Sequence, residues 1–281
     1  MNAKKTNYDL LYNPRMTVTG YEEVFERWDR DSERARAHLE CYLDVPYGPA
    51  AAETLDLFRA KGTSRGLLMY IHGGYWRSLD KKRFSFVAPL LAEAGVTVAV
   101  VNYALCPAVQ VADIVMQMVQ ASAWLYRNGA NFGAPANRLA VFGHSAGGHL
   151  AAMMLACDWP AYARDLPKKV VCGALSISGL YDLTEIVKVP SVNNDARLTG
   201  KTAIKVSPAF LPPATDAPLT TAVGTEENEG FHIQNRLIAG KWAKVHRADV
   251  PCAKKNHFTV LDDLCDPGSR LFKSTLDLIE Q

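Results

Sequence analysis

Apolar positions in this chain follow helical and strand periods in turn. Across residues 21–39 they recur every three or four positions, with Tyr21, Val24, Phe25 and Trp28 on one face and charge on the other. That spacing predicts an amphipathic helix, with Thr19 placed to cap it. Residues 8–20 form a turn-rich arm, because Pro14 disfavours helix at Asn13. Residues 41–48 read as a bend, and 53–58 alternate polar with apolar as an edge strand does. Residues 66–71 make a continuous apolar strand that stops at His72-Gly73-Gly74. A helix over 82–94, closed by Gly95, leads to a valine-rich strand at 96–101 that belongs inside a sheet covered on both faces.

The alternation continues with a helix over 109–126, ended by Asn128-Gly129, and a strand at 139–142. A helix over 146–157, strands at 170–176 and 218–223, a helix over 231–242, a strand at 244–249 and a terminal helix over 269–279 complete it. Phe231, Asn235, Ile238 and Trp242 share one face of the penultimate helix. Repeated strand-helix-strand units require a mostly parallel central sheet with helices on both faces, since such crossovers are right-handed. The fold class is α/β, expected as one domain over residues 1–281 with an arm and helix at 1–50. Residues 185–210 break the rhythm with Pro190, Asn193-Asn194, Gly200 and Pro208, and predict a cap or lid over the carboxyl edge of the sheet.

Composition narrows the function classes. The chain has 281 residues, an apolar share of 48% and a formal charge of +2, with no basic run beyond Lys81-Lys82-Arg83 and Lys254-Lys255. Nucleic acid is therefore not an expected partner, because phosphate binding needs concentrated positive charge. The stretch Met1 to Tyr8 lacks the apolar core of a signal peptide and no later run has the length of a membrane span, so the expectation is the cytoplasm with no membrane partner. Six scattered cysteines without a C-x-x-C pair read as small apolar fillers in a reducing compartment.

The chemistry concentrates at strand ends. Gly143-His144-Ser145-Ala146-Gly147 follows an apolar strand and opens an apolar helix, the setting in which G-x-S-x-G throws a serine onto a strained, exposed corner. An ordinary turn with a capping serine is the alternative for that motif alone. In a parallel sheet the carboxyl ends of the strands share one edge, so the loops at 72–74, 143–147 and 224–229 and His257 can meet there. The order nucleophile, acid, histidine is that of α/β-hydrolases. Ser145 is then the nucleophile, His257 the base and Glu226 the acid that orients it, with Glu227, Glu229, Asp216 and Asp249 as competitors for the acid. The amides of Ala146, Gly73 and Gly74, with Tyr75 a further candidate, would receive the oxyanion. Tyr75, Trp76, Tyr103 and Phe258 suggest a flat apolar pocket, although aromatics are more often core. His144 is assigned to the same pocket, and Asn193 either binds substrate there or serves a turn. His72 more often supports its own loop than performs acid-base work, and His144 and His149 lack the spacing of metal ligands.

The chain resembles the kynurenine formamidase (arylformamidase) family of α/β-hydrolases in its bacterial form. The resemblance runs through Tyr12-Asn13-Pro14-Arg15, Leu43 to Gly48, His72-Gly73-Gly74-Tyr75-Trp76-Arg77, Asn102 to Pro107, Gly143 to Leu150, Gly179 to Leu183 and Asn256-His257-Phe258-Thr259. It implies that Ser145 and His257 are catalytic, that neither metal nor organic cofactor is needed, and that the substrate is a small aryl formamide such as N-formylkynurenine. Related enzymes cleave assorted esters, amides and lactones, so a carboxylesterase or small amide or lactone hydrolase is the alternative. A noncatalytic scaffold binding an aromatic ligand is the alternative of a different class. The expected partner is a small aromatic amide or ester, and a homodimer is allowed. Where the family usually has aspartate two residues after the glycine of the acid loop, this chain has Glu226 after Gly224.

Overall fold

The computed structural model describes residues 6–280. Residues 1–5, part of the N-terminal stretch expected to lack a leader, lie outside the described residues, as does residue 281. Eight strands, β1 (Cys41–Pro46), β2 (Thr54–Phe58), β3 (Leu67–Ile71), β4 (Thr97–Val101), β5 (Leu139–His144), β6 (Ala174–Ile177), β7 (Leu219–Gly224) and β8 (His246–Cys252), form one sheet in the order β1-β2-β4-β3-β5-β6-β7-β8. The β1–β2 and β2–β4 pairs are antiparallel and all later pairs parallel. The α-helices of the described residues are α1 (Tyr8–Tyr12), α2 (Tyr21–His38), α3 (Ala88–Glu93), α4 (Val111–Asn128), α5 (Ala146–Leu155) and α6 (Trp159–Tyr162), followed by α7 (Pro190–Ala196), α8 (Gly200–Lys205), α9 (Glu229–Lys241) and α10 (Arg270–Asp277).

Side chains of one strand divide between two cores, as the two-residue period requires. Leu67, Met69 and Ile71 of β3 pack with α4, α5 and α9 on one face. Leu68 and Tyr70 pack with α2, α3 and α10 on the other. The predicted α/β class, with a mostly parallel sheet covered on both faces, is thus the observed one.

The antiparallel end of the sheet departs from the sequence expectation. Residues 41–46, expected as a bend, form the edge strand β1, whose register shifts between Tyr42 and Val45. Residues 54–58 lie between β1 and β4 rather than at the edge. The polar position that made this strand look half-exposed, Asp56, is buried and ion-paired with the buried Lys81, which also reaches Asp44 at 2.7 Å. A paired buried charge mimics a solvent-facing residue in a hydropathy pattern. Two smaller differences concern termini. Gly20, at φ +75°, rather than Thr19 precedes the first turn of α2, and the strand expected over 170–176 forms at Ala174–Ile177, starting later and running one residue further.

Candidate active site

The turn from β5 into α5 is fixed by lack of space. A Cβ at Gly147 would overlap the Ile71 carbonyl oxygen, and one at Gly143 would overlap the Gly147 carbonyl. Between these glycines Ser145 adopts φ +57°, ψ −119°, a conformation costly for any side chain and held here by neighbours, with its amide donating to the Ile177 carbonyl at 2.8 Å. Ser145 therefore stands at the carboxyl edge of the sheet, at the amino end of α5.

Register brings a second loop beside it. Ile71 pairs with Gly143, so the residues after β3 emerge next to the serine turn, and a Cβ on Gly73 would come within 3.1 Å of the Ser145 Cβ. Gly74 takes φ +107° where a side chain would overlap the Ser78 carbonyl. Ala146 is the first residue of α5, where an amide has no partner within the helix. Among the described residues no protein acceptor takes up the amides of Gly73, Gly74 or Ala146. Three N–H groups near one serine form the donor set that an oxyanion requires. His72 supports this loop: it is buried, contacts the Gly73 carbonyl at 2.7 Å and stacks on Tyr103 with ring centroids 4.2 Å apart. Burial lowers its pKa.

The acid beside His257 is Glu227, which corrects the expectation of Glu226. His257 Nδ1 lies 2.7 Å from Glu227 Oε2, with both side chains buried. The other carboxylate oxygen accepts from Ser178 Oγ at 2.6 Å and the Gly224 amide at 2.8 Å, so the carboxylate is held at three points. Glu226 is exposed, its amide donating to the Lys255 carbonyl while the Glu227 amide closes a turn onto Gly224. That turn points position 226 outward and 227 inward. Position 227, three residues beyond Gly224, is therefore the one whose carboxylate meets the histidine. Of the other competitors, Glu229 pairs with Arg236, Asp216 with Lys169, and Asp249 bonds Asn235.

Ser145 and His257 line one open cleft of about 490 Å³, counted together with the solvent at its mouth. Gly73, Gly74, Tyr75, His144 and Phe258 line it as expected. His144 contacts the His257 carbonyl through Nε2 at 2.8 Å. Burial, then the neighbouring His257, holds its ring well below the ordinary imidazole value, so Nε2 carries the proton and donates to that carbonyl.

Three expected pocket residues lie elsewhere. Trp76 is fully buried with its indole N–H on His149 Nδ1 at 3.2 Å, and Tyr103 donates to the His72 carbonyl at 2.8 Å, so both brace the loop that follows β3 from within the core. Asn193 clasps its own segment, donating to the Leu198 carbonyl at 3.0 Å and accepting from the Leu198 amide at 2.7 Å. Residues 185–210, expected as a lid, include α7 and α8 and contribute no residue to the wall of the Ser145 cavity. The cover comes instead from Asn13, Pro14 and Arg15 of the arm and from Phe25 and Trp28 of α2. Residues 185–210 stand behind that cover: Ser191 accepts from Asn13 Nδ2 at 2.9 Å, and Asp195 pairs with Arg77. The helical face containing Phe25 and Trp28 was legible in the sequence, but nothing in its period distinguishes a stripe covering a core from one roofing a cavity.

The pattern and geometry agree with comparisons to known proteins. Residues 68–236 match the family model for the alpha/beta hydrolase fold. The chain is 32% identical over 259 residues to kynurenine formamidase of Danio rerio, covering 88% of this chain and 85% of that protein. A crystal structure of a proposed thioesterase from Silicibacter sp. tm1040 superposes with a TM-score of 0.85 at 30% identity, covering 99% of this chain and 100% of that one. Esterase LipQ of Mycobacterium tuberculosis is 31% identical over 152 residues, covering 50% of this chain and 36% of that enzyme. Among the described residues no helix is long and apolar enough to cross a membrane.

Proposed function

The chain belongs to the α/β-hydrolase family, in which it is related to kynurenine formamidase, and from that premise we propose that it is a serine hydrolase of small aryl formamides. The observation that carries this reading is His257, held from behind by the buried Glu227, lining one cavity with a serine on a strained turn beside three unclaimed amides. His257 takes the Ser145 proton at Nε2 as the oxygen attacks the formyl carbon, while Glu227 holds the Nδ1–H tautomer and stabilises the imidazolium. The amides of Ala146, Gly73 and Gly74 receive the oxyanion. His257 then protonates the arylamine as the C–N bond breaks, leaving a formyl ester on Ser145. Water, deprotonated by the same histidine, attacks that ester, and formate leaves as Ser145 recovers its proton. Phe25, Trp28, Phe84 and Phe258 offer the aryl group a flat apolar wall.

The likeness to an esterase over half the chain supports a second reading, carboxylester hydrolysis by the same residues. Formyl, acetyl and butyryl esters of one phenol, tested beside formanilides, separate the two. Formanilide turnover with a preference for formyl is the expected result, and a large preference for butyryl assigns the esterase instead. A fluorophosphonate followed by peptide mapping is expected to label Ser145; a folded protein left unlabelled there would be a binding scaffold.

A further inference from the structure

The charge lining the cavity is one-sided. Two guanidinium groups, Arg15 and Arg77, reach its wall, and no aspartate or glutamate does. Arg77 is paired with Asp195. Arg15 belongs to none of the ion pairs of the described residues, and its guanidinium makes one long contact, 3.4 Å from Nη2 to Ser78 Oγ, out of five N–H donors. Resting positions for this cation are set by aromatic faces: Arg15 Cζ lies 5.7 Å from the Phe25 ring centroid and 6.0 Å from that of Tyr21. Its backbone is tied down as well, the Arg15 amide donating to Asn13 Oδ1 at 3.2 Å and the Tyr12 carbonyl accepting the hydroxyl of Tyr75, next to Gly74. Arg15 is thus carried on a strap fastened to the loop that flanks Ser145.

We propose that Arg15 determines specificity by binding a carboxylate on the aromatic substrate, whose scissile bond then lies at Ser145; this rests on the reading of the site as a hydrolase of aryl compounds. A planar guanidinium offers two parallel N–H groups to a carboxylate, a geometry lysine lacks. Partial desolvation lowers the Arg15 pKa without a counter-ion in contact; Glu22 is the acid whose field reaches it, and Arg77 and Arg83 oppose it. An arriving carboxylate satisfies that cation in a partly dry setting, where a charge-assisted pair is strongest.

The test is calorimetric binding of deaminokynurenine, an aryl ketone acid, and of its uncharged carboxamide to the full chain and to its Arg15→Gln and Arg15→Lys variants. The unmodified protein is expected to bind the acid about 10- to 100-fold more tightly than the carboxamide, the range a charged hydrogen bond supplies. Arg15→Gln is expected to remove that preference while carboxamide affinity stays within about twofold, and Arg15→Lys to restore part of it. Equal affinity for the two compounds in the unmodified protein, no acid binding at millimolar concentration, or equal weakening of both compounds in Arg15→Gln would overturn the proposal, the last assigning Arg15 to packing of the arm. Turnover of unsubstituted formanilide by the unmodified protein, a substrate that carries no carboxylate, reads the hydrolase assignment separately from the binding comparison.

Discussion

The serine turn and the acid loop stand on the same sheet edge but are specified in different ways. At the turn, Gly143 and Gly147 have no room for a side chain, so the serine between them has one position and the motif can be read from the residues alone. In the acid loop Glu226 and Glu227 are chemically identical neighbours, and the choice is made by the backbone bonds of Glu226 to Lys255 and Glu227 to Gly224. Legibility follows steric exclusion: where packing forbids every alternative, the sequence announces the structure, and where it permits two, only the folded chain decides.

Substitutions at the turn should therefore be the most severe. Ser145→Ala is expected to lower aryl formamide turnover by about a millionfold, roughly 8 kcal/mol of transition-state stabilisation, with the thermal midpoint nearly unchanged. Residual turnover within a hundredfold would place the nucleophile elsewhere. Gly147→Ala tests the steric basis itself. Because its Cβ meets a β3 carbonyl rather than a flexible side chain, a loss of about 3 kcal/mol is expected in chemical denaturation. A neutral result would remove the argument that space alone fixes the turn.

Behind the turn, His149 provides a measure of how dry this region is. Burial lowers its pKa to about 4, and its ring bridges Trp76 and the Val206 carbonyl. The unfolded chain binds a proton near pH 6.5 that the folded chain refuses until about pH 4, so the stability it contributes is complete above 6.5 and falls as pH drops through that window. The contribution is about 1.4 kcal/mol per pH unit, roughly 3 kcal/mol in all. Denaturation midpoints measured from pH 7 to pH 4 are expected to decline less steeply in His149→Gln, and parallel slopes would contradict a buried neutral ring.

The smallest effect separates the covering arm from the segment behind it. Asn193→Ala breaks a local clasp and is expected to cost about 1–2 kcal/mol of stability while leaving the relative rates on different aryl substrates unchanged. Altered ratios would return residues 185–210 to the pocket.

Much of the parallel sheet was legible because its strands are apolar runs separated by helical periods, and the G-x-S-x-G and H-G-G loops could be placed at strand ends. The misreadings share a cause. Asp56 looked exposed because its partner Lys81 is remote in sequence, Trp76 and Tyr103 looked like pocket walls because aromatics serve cores and pockets alike, and Asn193 looked available because its partners are backbone groups. Each is a long-range or main-chain satisfaction of a side chain, which composition and period do not encode.

The most direct test of the central claim, that a carboxylate three residues beyond Gly224 orients the histidine, is the turnover of Glu227→Gln beside Glu226→Gln, with folding verified in both. Glu227→Gln is expected to lose about ten-thousandfold, as an amide supports the wrong imidazole tautomer, a magnitude taken from the serine-protease aspartate-to-asparagine case. Glu226→Gln, altering an exposed side chain, is expected to stay within about twofold of the unmodified protein. The reverse pattern, deep loss at 226 with near-normal turnover at 227, would contradict the Ser145-His257-Glu227 arrangement.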